Sequence, residues 1–197
     1  MATQVKFISD PVVRRVLTWD RLLPAVRRSL EAFSRGPRHP QGAVQPLRTS
    51  VSVEEHQGTM LVMPGLMPGE GGSAGALATK IVSLFPGNAA KGLSTHHALV
   101  VLMEPGTGAP LAILEGEAIT ELRTAAASAA ATLELVREKP GEVTPFVCCQ
   151  VRIWARKPEA AEALVLQLQA EGICAEPSTT VQEACKYTFE MNNSMVC

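Results

Sequence analysis

Apolar positions recur at two different spacings along this chain, and the changes from one spacing to the other mark out its elements. Near the start, Asp10-Pro11 supplies a capping carboxylate and a proline suited to a first helical turn, followed by Val12, Val13, Val16 and Leu17 as a short apolar face. A second helix is expected from about Asp20, with Leu22, Leu23, Val26, Leu30 and Phe33 at helical spacing and Gly36-Pro37 as its stop. Pro24 is assigned to the first turn of that helix, where a missing N–H costs little.

After the loop GPRHPQG the period shortens to that of strands. AVQPLRTSVSV alternates, EEHQG turns and TMLVMPG returns. The glycine-rich loop PGLMPGEGGSAG leads to ALATKIVSLF, and HHALVVLME and PLAILEGE form a hairpin through EPGTGA. His96 and His97 are adjacent at the start of a strand, so they point to opposite faces. Repeated hairpins followed by a helix predict an α+β domain, a mostly antiparallel sheet with helices on one side. That helix, within GEAITELRTAAASAAATLELVREKPG, lies between Gly116 and Pro140, and its alanines permit close packing. Beyond it VTPFVCCQVRIWAR predicts a strand, KPEAAEALVLQLQAEG a helix, ICAEP a short strand and STTVQEAC a capped helical turn. KYTFEMNNSMVC has no periodicity and is expected to be a tail.

Composition narrows the function classes. Of 197 residues 46% are apolar, which excludes a disordered chain, and no apolar run approaches the length of a membrane span. MATQVKFISD lacks an apolar stretch of signal-peptide length, so a cytoplasmic protein is expected. Residues 1–50 carry nine Lys/Arg against three Asp/Glu, a basic end suited to phosphate or carboxylate, although the plainer account is a solvated helix face. No aromatics interleave the basic residues, which argues against nucleic acid. The five cysteines (Cys148, Cys149, Cys174, Cys185 and Cys197) form no Cys-x-x-Cys pair and have no histidine after them, so no metal site is expected and the thiols are taken as reduced.

Two motif matches share one loop. Gly69 to Ala74 fits a dinucleotide fingerprint and Gly71 to Gly75 fits a nucleophile elbow around Ser73, the basis of an alternative serine hydrolase reading. Both motifs require a helix directly afterwards, whereas ALATKIVSLF has the pattern of a strand. More informative are Arg48, Lys80 and Arg123, each within a largely apolar or alanine-rich stretch. A cation at a core position is costly unless an anion neutralises it, so the three together point to an anion site, and the plainer account of each is an exposed face.

At these residues the chain resembles the ornithine cyclodeaminase/mu-crystallin family, through VQPLRTSV, VMPG, LATKIVSLF, STHHALVVLMEP, EGEAITELRTAAASAAAT, VRIWARK and VQEA. The resemblance implies NADPH-dependent reduction of a cyclic ketimine carboxylate, a capacity to bind thyroid hormone, and a homodimer. It implies that Arg48 and Arg123 bind substrate, that Lys80 is the catalytic residue beside the imine, and that Thr95, His96, Thr124 and Arg156 face the cofactor. Residues 1–137 would then form the substrate-binding and dimerisation domain. Residues 138–184 would be a remnant of a Rossmann-type α/β domain, and 185–197 a tail outside the family pattern.

The departures predict impaired chemistry. The family runs a strand into a Gly-x-Gly loop and helix before the strand equivalent to VRIWAR, a unit of about 30 residues. Here VTPFVCC runs directly into QVRIWAR, with no glycine between Gly141 and Gly172. The residue before Arg156 is Ala155 where the family has Asn, and after VQEA the remaining nucleotide domain is absent, as in a shifted or alternative coding end. A non-catalytic ligand-binding or dimerising protein is therefore the alternative to an active reductase.

Overall fold

The computed structural model describes residues 4–69, 71, 75–135 and 151–185. The chain divides into two compact units, Met1–Arg137 and Glu138–Cys197. The VTPFVCC segment, Ser73, Cys148, Cys149 and the tail from 186 lie outside the described residues. No described helix is long and apolar enough to cross a membrane.

In the first unit, β2 (Thr49–Val53), β3 (Gly58–Met67), β4 (Ala76–Leu84), β5 (His96–Met103) and β6 (Pro110–Glu115) form an antiparallel meander. A strand not expected from the sequence, β1 (Lys6–Ile8), pairs in parallel with β6 and completes the sheet order β1-β6-β5-β4-β3-β2. Helices α1 (Asp10–Val16), α2 (Trp19–Arg35) and α3 (Glu117–Leu135) accompany it. The core between α3 and its neighbours is built from small side chains. Ala118, Ala126 and Ala130 on α3 are buried, as are Val82, Ala98 and Ala112 on the sheet and Val13, Leu22 and Ala32 on α1 and α2. Alanine lets the helix approach the sheet closely, as its sequence suggested.

Three local expectations need correction. Pro24 lies inside α2, beyond the first turn, because the helix begins at Trp19. Arg48 is not within a strand: it is exposed immediately before β2, and of the upstream stretch Val44 makes only an isolated bridge to Leu66. Asp10 does not cap its own helix, whose cap position is Ser9. Its Oδ1 instead accepts from the Ala118 N–H of α3 at 2.7 Å, while the Asp10 N–H donates to Glu115 Oε2 at 2.5 Å. Each helix start thus receives its carboxylate from a residue more than a hundred positions away.

The Ala118 N–H, with help from Arg14, holds the Asp10 carboxyl below its ordinary range. A lowered carboxylate contributes stability above its unfolded pKa and loses it as pH falls through the folded value. Asp10→Ala is expected to cost about 1–2 kcal/mol, the value of a lost cap, and so to lower the thermal midpoint by several degrees. Thermal unfolding at neutral pH checks this, and the difference from wild type should close below about pH 4.

The loop holding both glycine motifs ends at Gly75, with φ of +78° and no room for a side chain: a Cβ there would lie 2.4 Å from the Met67 carbonyl oxygen. The strand β4 follows directly, so neither motif has the helix its chemistry needs.

In the second unit, β7 (Val151–Ile153) pairs in parallel with β8 (Ala175–Pro177), and α4 (Pro158–Ala170) joins them. A short helix, α5 (Val181–Cys185), follows. One βαβ crossover of this kind is the repeating piece of a Rossmann-type sheet, and Arg152 is paired with Glu176 across its two strands at 2.5 Å.

Candidate functional site

The helix side of the sheet carries a groove of about 590 Å³ lined by Arg48, Lys80, His96, Thr120 and Arg123, with Phe33, Val44, Leu61 and Met63 among its apolar walls. The register explains this assembly. Lys80 lies on β4 opposite Met63 on β3 and Val100 on β5, two residues from buried Val82, so it shares the core face of the sheet. Thr120 and Arg123 are three residues apart on α3 and therefore share a helix face. His96 opens β5 and lines the groove, while His97 lines a separate cavity, as adjacent strand residues must.

Lys80 Nζ donates to Thr120 Oγ1 at 2.6 Å, and that hydroxyl donates in turn to the Gly116 carbonyl at 2.6 Å. Burial, and then the repulsion of Arg123, push the Lys80 amine below the ordinary lysine range. Among the described residues no carboxylate forms an ion pair with Arg48, Lys80 or Arg123. Three cations in one apolar groove, with no counterion among the described residues, are suited to hold an anionic ligand.

The other candidates lie apart from this cluster. Thr95 is exposed just before β5, and its carbonyl accepts from the Phe85 N–H at 2.9 Å. Thr124 is exposed on α3 with its hydroxyl donating to the Thr120 carbonyl at 2.6 Å. Neither is among the groove's lining residues. Arg156 is exposed in the second unit, between β7 and α4. Sequence reasoning missed Thr120, for which the one available signal was its helical offset from Arg123.

The fit of a dinucleotide can be tested on the second unit. Its pyrophosphate needs backbone amides approached closely, which glycine at a helix start permits. The turn from β7 into α4 is Trp154-Ala155-Arg156-Lys157, every residue of which bears a Cβ, and Pro158 removes the first helical N–H. The turn after β7 therefore offers no glycine-lined amides; the family's pyrophosphate turn precedes the strand equivalent to β7, and the corresponding stretch, 136–150, lies outside the described residues.

Comparison with known proteins places these features. Ketimine reductase mu-crystallin of Rattus norvegicus is 32% identical over 89% of this chain and 59% of its own length. That alignment has 196 positions against about 175 residues of this chain (89% of 197), so about 20 positions have no counterpart here. Among solved structures, Δ1-pyrroline-2-carboxylate reductase of Thermococcus litoralis in complex with NADH and L-proline superposes with a TM-score of 0.71 at 26% identity, over 91% of this chain and 58% of that one. An archaeal alanine dehydrogenase dimer with bound NAD gives a TM-score of 0.73 at 26% identity, over 91% and 57%. The chain thus spans less than two thirds of the length of these relatives. The model of the ornithine cyclodeaminase/mu-crystallin family matches residues 5–149, and the chain belongs to that family.

Proposed function

We propose that this chain binds a small carboxylate of the cyclic imino acid class in the groove of its first unit, and does not perform the family's NADPH-dependent ketimine reduction at an enzymatic rate. The observation that carries the reading is the convergence of Arg48, Lys80 and Arg123 on one groove, with no ion-paired carboxylate among the described residues. Arg48 and Arg123 hold the carboxylate, and Lys80 stands beside the imine. The relatives named for reducing ketimines and pyrroline carboxylate support the substrate class. The apolar walls also suit an amphipathic carboxylate such as a thyroid hormone. Calorimetric titration with Δ1-pyrroline-2-carboxylate tests the reading: saturable binding is expected, and no heat at millimolar ligand would refute it.

Against reduction stands the chain between α3 and β7, residues 136–150, too short for the strand, glycine turn and helix that hold a pyrophosphate. Thr95, His96 and Thr124, the cofactor-facing residues of the resemblance, then have no nicotinamide to meet, and Arg156 no 2′-phosphate. A cytoplasmic setting accords with the exposed free thiol of Cys174.

The same reading includes a homodimer. The sheet face opposite the groove carries Phe7, Val51, Met60 and Leu99, with Phe7 64% and Leu99 41% exposed. Apolar surface on this scale favours a partner, and one of the structural neighbours is a dimer. Leu99→Glu places a charge at mid-sheet without disturbing the core. Sedimentation at micromolar concentration should give a dimer for wild type and a monomer for the variant. A monomeric wild type would overturn the assignment.

A further inference from the structure

We propose that Thr120 is the positioning residue of Lys80, fixing the direction in which the amine meets a ligand. This inference rests on the carboxylate-binding reading of the groove and adds to it a lining residue that acts through Lys80. A lysine amine sits on four flexible carbons and is a poor anchor unless something holds it. Here the holder is tied back to the sheet. Gly116 N–H donates to the Ala98 carbonyl on β5 at 2.8 Å, and a Cβ on Gly116 would lie 2.9 Å from the Ala98 Cβ, so only glycine seats α3 this closely. The Thr120 hydroxyl donates to the Gly116 carbonyl at 2.6 Å, so its oxygen offers Lys80 only lone pairs. Ala98 is itself the register partner of Val82, two residues along β4 from Lys80. The path from β4 through β5, Gly116 and Thr120 back to the Lys80 amine therefore closes on itself.

The consequence lies in what remains of the amine. One N–H is spent on Thr120, and the other two face the groove when the amine is charged. When it is neutral, one N–H and the lone pair face it. Because Thr120 can only accept, the amine keeps this bond in both protonation states and is not displaced by titration. Acceptance by the hydroxyl also favours the charged form, which burial and Arg123 oppose.

The test compares Thr120→Val, which keeps the branched shape but removes the acceptor, with Thr120→Ser, which restores it. The Lys80 Cε resonance is titrated by NMR in the full chain without ligand, and affinity for Δ1-pyrroline-2-carboxylate is measured by calorimetry. In the valine variant the Lys80 midpoint should fall and affinity should drop about three- to tenfold. Serine should return both to near wild type. A valine variant with unchanged midpoint, or a serine variant as impaired as valine, overturns the proposal. Should the valine variant fail to fold, Thr120→Ala is read in its place. Because the NMR titration needs no ligand, it decides the role of Thr120 even where the binding reading fails.

Discussion

Replacing Arg123 with methionine should weaken carboxylate binding by about ten- to a hundredfold, while leaving the thermal midpoint within a few degrees of wild type. A hydrogen bond to a charged group is worth about 1.5–3 kcal/mol, and each 1.4 kcal/mol is a factor of ten. Arg123 is exposed on α3 and forms no ion pair among the described residues, so little native stability depends on it. The pH dependence carries a sign as well. Binding requires Lys80 charged, so wild-type affinity should decline as pH rises through its lowered pKa, below the ordinary lysine range. Removing Arg123 removes the smaller of the two causes, and the decline should move to higher pH without reaching that range. Calorimetry across pH reads both effects. Unchanged affinity in the variant would remove Arg123 from the site.

NADH and NADPH should fail to saturate the chain below about 1 mM, and ketimine turnover should fall short of the ~1 per second at which ordinary enzymes begin. Micromolar affinity requires about 8 kcal/mol, whereas one exposed arginine on a phosphate contributes about 0–1. Arg156 is that arginine, in a turn without glycine and ahead of a proline that removes an amide. Arg156→Ala should therefore change nothing measurable in a nicotinamide fluorescence titration. Saturation at micromolar cofactor, lost in that variant, would show that the second unit holds a dinucleotide by means other than a glycine turn.

What the sequence disclosed, and what it hid, follows the range of the interactions. The β5–β6 hairpin and α3 were legible because their signals are local: a turn between two apolar runs, and an alanine-rich stretch with a glycine ahead of it. Arg48, Lys80 and Arg123 stood out because cations in apolar surroundings need a reason, yet only Lys80 is partly buried and both arginines are exposed. Strand β1 was invisible, since three residues carry no period and its partner β6 lies more than a hundred residues away. Asp10 was assigned to the wrong helix for the same reason, its acceptor role being settled by a contact 108 residues distant. Thr120 gave no sign of itself because a threonine in a helix is ordinary until the lysine pointing at it is known. The continuation of β3 beyond Gly65 to Met67 was also hidden, because that stretch reads as part of a glycine-rich loop.

The most direct test of the account is the affinity of the full chain for Δ1-pyrroline-2-carboxylate, measured by calorimetry with and without millimolar NADH. If the groove of the first unit holds the carboxylate unaided and the second unit holds no dinucleotide, the two dissociation constants will agree, since a ligand that does not bind cannot shift another's affinity. Binding that appears only with NADH, or tightens tenfold in its presence, would contradict the account.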